Sequence, residues 1–74
     1  MGAKSEKRRI AALKARARDL RRVEKATVKQ AKDFISHGDY PGAVGLLMRA
    51  FRTRGRADLY EDMAEAPRPE EVPT

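Results

Sequence analysis

The chain has no cysteine, no tryptophan and no asparagine, and only one histidine and one glutamine, in 74 residues. Without cysteine there is no disulfide framework and no thiolate zinc site. A single histidine, His37, leaves acid–base or metal chemistry without partners, so no catalytic residue, metal or cofactor is expected. The reading is not an enzyme. With no asparagine and with Gln30 as the only glutamine, bidentate reading of adenine is scarcely available. Aromatic residues are just Phe34, Tyr40, Phe51 and Tyr60, and none precedes Phe34. Stacking platforms for nucleobases are therefore missing from the first half of the chain. The longest apolar run, residues 43–48, includes Gly45 and falls far short of the roughly 20 residues of a membrane helix. No apolar signal-peptide core follows the first lysines. Met1-Gly2 starts like a myristoylation site, but Glu6 stands where that pattern takes Ser or Thr. No membrane partner and no small-molecule ligand are expected. The absence of cysteine fits a cytoplasmic location.

Charge is plentiful and uneven. Lysine and arginine number 17 against 11 acids, a net charge of +6. Residues 1–37 hold 12 basic and 4 acidic groups, whereas residues 56–74 hold 2 basic and 6 acidic ones. A basic front and an acidic tail point to an acidic protein surface or a polyanion as partner. A chain this short buries only about 60% of its unfolded surface. Marginal stability is the expectation, and a partner or a second copy would add to it.

Lys4 to His37 contains no glycine or proline and is rich in Ala, Leu, Lys and Arg, all good helix formers. It reads as one helix, about 5–37, with Ser5 as its cap and Glu6 at its positive end. Apolar residues recur at Ile10, Leu13, Ala17, Leu20, Val23, Val28, Ala31, Phe34 and Ile35, in steps mainly of three and four. Gly38 reads as a left-handed cap. Asp39-Tyr40-Pro41-Gly42 reads as a turn opening a second helix, about 40–54, with Asp39 as N-cap. Gly55 is expected to stop it. A short third helix is expected over 57–66, with Asp58, Glu61 and Asp62 near its start. Residues 67–74 read as a disordered, acidic, proline-rich tail.

The expected fold is all-α. A long N-terminal helix packs antiparallel on a second helix, and a short third helix closes a single domain, residues 1–66. The expected core is Leu20, Val23, Val28, Ala31, Phe34, Ile35, Tyr40, Ala43, Val44, Leu47, Ala50, Phe51, Leu59, Tyr60 and Met63. Helix one should overhang at its N-terminal end, because helix two is less than half as long. That leaves a narrow apolar seam at Ile10, Leu13 and Ala17 free for another protein, or for a dimer through helix one.

The series Ala31, Phe34, Gly38, Tyr40, Ala43, Leu47 and Ala50 resembles one tetratricopeptide repeat in its steps. Small residues let two helices approach, two aromatics fill the wedge, and a glycine turns the chain. The resemblance spans residues 27–55 and departs from the family pattern at three places. Thr27 stands for a tryptophan, Gln30 for a leucine and Gly55 for a proline. It implies a helical hairpin that serves as a protein-interaction module, without naming a ligand.

Two binding surfaces compete. At about 100° per residue, Lys7, Lys14, Arg18, Arg21, Lys25, Lys29 and Lys32 share one side of helix one, extended by Lys4 and Arg22. Such a face suits phosphates, DNA or RNA, with affinity that falls steeply with salt; the plainer reading is a wet helix surface. Arg52, Arg54 and Arg56 around Gly55 form a second cluster, read either as a phosphate grip or as cations at a helix C-terminus. The leading expectation is a small regulatory module that docks on a larger protein partner through its hairpin and seam. Nucleic-acid binding through helix one is the alternative.

Overall fold

The computed structural model describes residues 2–66 and consists of two helices, α1 (Gly2–Ser36) and α2 (Tyr40–Glu65), packed antiparallel as a hairpin. There is no strand among the described residues. The expected tail, 67–74, lies outside them.

The turn forms as its residues dictate. Gly38 takes φ +81, a conformation that costs a residue with a Cβ about 1–2 kcal/mol. The amide of Asp39 donates to the Phe34 carbonyl at 2.9 Å, and that of Gly38 to Ile35 at 3.0 Å. This pair of bonds is a Schellman closure, and it satisfies carbonyls that the helix end leaves open. Asp39 then caps α2: its Oδ1 accepts from the Gly42 amide at 3.0 Å, and Pro41 sits in the first turn, where no amide donor is required. His37 Nδ1 lies 2.7 Å from the Asp33 carbonyl oxygen, the structural role expected of a histidine at a helix end.

Among the described residues there is no third helix. α2 runs through Gly55 for 26 residues, so the expected helix over 57–66 is its second half. A glycine inside a helix costs about 1 kcal/mol relative to alanine. Here that cost is outweighed by the packing that follows. Ala43, Ala50, Ala57 and Ala64 are the buried residues of α2, one at every seventh position. The last two exist as buried contacts only if the helix continues past Gly55. On α1 the buried residues are Ala17, Thr27 and Ala31. Half-buried residues complete the pattern: Ile10, Leu13, Leu20 and Glu24 on α1, and Leu46, Thr53 and Tyr60 on α2. Both series alternate steps of three and four, the seven-residue repeat of a coiled-coil seam. Ser5 does not cap α1, which begins before it at Gly2.

The core is therefore small residues, not the bulky ones expected. Ala31 and Ala57 are 0% exposed, whereas Val23 is 50% and Phe51 75% exposed. Of the expected core, only Ala31, Ala43 and Ala50 are fully buried; Leu20, Val28 and Tyr60 are half-buried. Phe34, Ile35, Tyr40, Val44, Leu47, Leu59 and Met63 are exposed. Alanines win the seam because a hairpin of two helices has only one contact line. Small side chains let the two backbones close on each other, and dispersion contacts between backbones replace those of large side chains. Thr27 fits the same seam because its hydroxyl donates to the Val23 carbonyl at 2.8 Å, leaving no polar group unpaired.

Candidate protein-docking surface

Antiparallel packing sets the long side of α1 against the whole of α2. The Arg9 guanidinium reaches the Met63 carbonyl at 3.4 Å, so α2 extends back along α1 to within its first turns. The expected seam is consequently not free. Ala17 is 1% exposed, and Ile10 and Leu13 are half-buried in the same contact line. Helix one overhangs far less than expected, because α2 is 26 residues long rather than about half that.

The basic side of α1 is divided by the acids of α2. Arg21 Nη2 lies 2.6 Å from Asp58 Oδ1 and 2.5 Å from Glu61 Oε1, and its Nε donates to Glu61 Oε2 at 3.3 Å. Glu24 adds a looser pair at 3.8 Å. The hydrogen bonds to Glu61 and Asp58 hold the Arg21 guanidinium well above its ordinary pKa. Arg21 is thus a brace across the hairpin, and its charge is already answered. Lys14 and Arg18 line a cleft of about 250 Å³ with Glu61 and Glu65. Lys4, Lys7, Arg22, Lys25, Lys29 and Lys32 are exposed. Arg16 lies over the ring of Tyr60, with Cζ 5.8 Å from the centroid, a cation–π contact that ties the two helices on the other flank.

Arg52, Arg54 and Arg56 do not sit at a helix C-terminus. They lie exposed in the middle of α2, since the helix passes through Gly55. The dipole explanation for them therefore falls away. Asp58, Glu61, Asp62 and Glu65 lie one turn further on the same helix. Among the described residues no cluster of His, Cys, Asp or Glu is placed to hold a metal ion.

The surface that sequence reasoning missed is the outward side of α2. Val44, Leu47, Met48, Phe51, Leu59 and Met63 are all exposed, at 57% for Met48 and Leu59. Val44, Met48 and Phe51 share one side turned away from the alanines, Leu47 lies between that side and the seam, and Leu59 and Met63 follow after a gap of charged residues, rotated toward the other flank. The sequence did contain a signal: the first half of α2 is apolar on more than the one stripe that a hairpin needs, and surplus exposed apolar surface marks contact with a partner. Toward the turn, this face joins α1 across a groove of about 260 Å³ lined by Glu24, Val28, Leu47, Ala50, Phe51 and Arg54. No helix among the described residues is long and apolar enough to cross a membrane. Compared with family models, with curated proteins and with solved structures, the chain matches none.

Proposed function

We propose that this chain is a small helical docking module that binds a larger protein through the outward apolar face of α2. The observation that carries the reading is Phe51, a large aromatic side chain 75% exposed at the end of a stripe with Val44, Leu47 and Met48. Large contiguous apolar surface on a soluble chain marks interaction sites. Aromatic residues and methionine are the types enriched at the centre of protein interfaces. The seam at Ile10, Leu13 and Ala17 has no place in this reading, because it is spent inside the hairpin. The tight approach at Ala31, Ala43 and Ala50 is in keeping with a tetratricopeptide-like hairpin presenting one of its faces.

Nucleic-acid binding is the weaker reading, since Arg21 is paired and Lys14 and Arg18 share their cleft with two carboxylates. What it retains is the exposed row Lys25, Lys29 and Lys32.

The test is capture from nuclease-treated lysate of the source cells with three baits: the natural chain, Met48→Gln with Phe51→Gln, and Lys7→Glu with Arg22→Glu. The reading expects a defined protein held by the first and third baits and lost with the second, while circular dichroism shows equal helicity for all three. A protein retained equally by all baits, or capture abolished by nuclease, overturns it.

A further inference from the structure

We infer that the partner presents an acidic amphipathic helix, and that this helix lies in the groove between α1 and α2 as the third member of a three-helix bundle. The inference rests on the docking reading above and names the class of partner. Its floor is apolar: Val28 from α1, and Leu47, Ala50 and Phe51 from α2 line one cavity. Two helices side by side leave such a furrow along their length. A third helix fills it by setting residues at i, i+3, i+4 and i+7 into it.

The rim decides the chemistry of the occupant. Arg54 lines the groove from the α2 side. On α1, Lys25, Lys29 and Lys32 follow one another at steps of four and three beside Val28, all exposed. The one carboxylate in the lining, Glu24, is turned to Arg21 of its own helix at 3.8 Å. Toward the open end of the hairpin the pattern reverses. There Lys14, Arg18 and Arg21 already face Asp58, Glu61 and Glu65. So the half of the groove that holds the apolar floor carries one carboxylate, Glu24, against Arg54 and the exposed lysines of α1. An incoming helix with leucine-like residues on one stripe and glutamates beside it would place charge of opposite sign over Lys25, Lys32 and Arg54. A lysine-flanked helix would bring like charge to the same rim, which works against the wrong partner as strongly as it works for the right one. A second copy of the chain is disfavoured by the same argument, since it carries the same cationic rim to the contact.

The experiment measures fluorescence anisotropy with stapled synthetic helices, beside light scattering of the free chain. One peptide carries leucines at i, i+3, i+4 and i+7 with glutamates on both flanks. A second keeps the leucines and has lysines on the flanks. A third keeps the glutamates and has serines for the leucines. A short duplex DNA is the fourth probe. The acidic amphipathic peptide should bind at least about tenfold more tightly than either peptide control. Binding should drop by a similar factor in Phe51→Ser and in Lys25→Glu with Arg54→Glu. Equal binding of the lysine-flanked peptide, still lost in Phe51→Ser, would overturn the acidic partner and leave the docking face standing. Equal binding of the serine peptide or of DNA, unaffected by Phe51→Ser, would overturn both. No peptide binding together with a dimeric mass would give the groove to a second copy and overturn the inference.

Discussion

On the side of α2 that meets α1, the buried apolar residues are Ala43, Ala50, Ala57 and Ala64, with Leu46 and Tyr60 half-buried between them; turned away from it are Val44, Met48, Phe51, Leu59 and Met63. The usual expectation places the large side chains inside. Here small residues hold the fully buried position at every seventh residue, and most of the large ones of α2 are out. The difference teaches that size and spacing do separate work in this chain. A strict seven-residue repeat of alanines specifies where two backbones meet, while the exposed bulky residues, off the positions that face α1, are left for contacts the hairpin does not make itself. Burial alone would have ranked the two faces the other way, because a phenylalanine or methionine gains about 1.5–3 kcal/mol on being covered and an alanine much less.

The comparison is broken most severely by enlarging an inner residue. Ala57 is fully enclosed by the two helices. Ala57→Leu inserts three carbons where the backbones touch, and overpacking of this kind costs about 1–3 kcal/mol. For a domain of this size that is a fall in Tm of roughly 4–8 °C per kcal/mol. Thermal unfolding followed by circular dichroism checks it. An unchanged or higher Tm would mean that the alanine seam is loose, and that the inner face is not set by close approach.

The glycines make the same comparison with a change of sign. A Cβ added at Gly42 would stand 2.6 Å from Cδ2 of Phe34 and 2.7 Å from Oδ2 of Asp39, on the inner side and at the cap. Gly42→Ala must move an aromatic ring or disturb the capping carboxylate, and a lost N-cap alone costs about 1 kcal/mol. At Gly55 a Cβ meets nothing within 4 Å. Gly55→Ala should therefore stabilise α2 by about 0.5–1 kcal/mol, the helix preference of alanine over glycine. Urea unfolding of the two variants should show opposite shifts of midpoint. Shifts of the same sign would deny that inner and outer positions of α2 differ in packing.

These glycines also show what could be read in advance. Gly38 declares itself, because a helical run ends there and Asp39 follows as a cap, so the hairpin, its turn and both capping roles were legible. Gly55 misleads because a glycine flanked by arginines resembles a helix stop, and local propensity says nothing about what packs on the residues beyond it. Only the recurrence of Ala43, Ala50, Ala57 and Ala64 shows that the helix continues, and an alanine repeat is easy to pass over when the larger residues nearby form a plausible stripe of their own. The basic side of α1 was legible from its spacing. Its division was not, since the pairing of Arg21 with Asp58 and Glu61 depends on a register that the continuous α2 creates. The same register covers Ile10, Leu13 and Ala17, which a shorter α2 would leave free.

The smallest expected effect sharpens the comparison most. Leu59 and Met63 are bulky, apolar and exposed, with no partner helix over them on the outer face. Exposed substitutions away from caps and strain usually change stability by no more than about 0.5 kcal/mol. Leu59→Gln with Met63→Gln should therefore leave the urea midpoint of the dilute chain nearly unmoved, although two of its largest apolar side chains are gone. Glutamine is as good a helix former as methionine, so propensity does not mask the result. The same pair should matter only where something covers the face. If the midpoint of the natural chain rises with protein concentration and that of the variant does not, the outer face is covered by other copies, because binding to the folded state stabilises it by mass action. A loss of more than about 1 kcal/mol at high dilution would be a different matter: it would place Leu59 and Met63 in the hairpin's own packing, and the separation between a small-residue face that folds the chain and a large-residue face that binds would not hold at this end of α2.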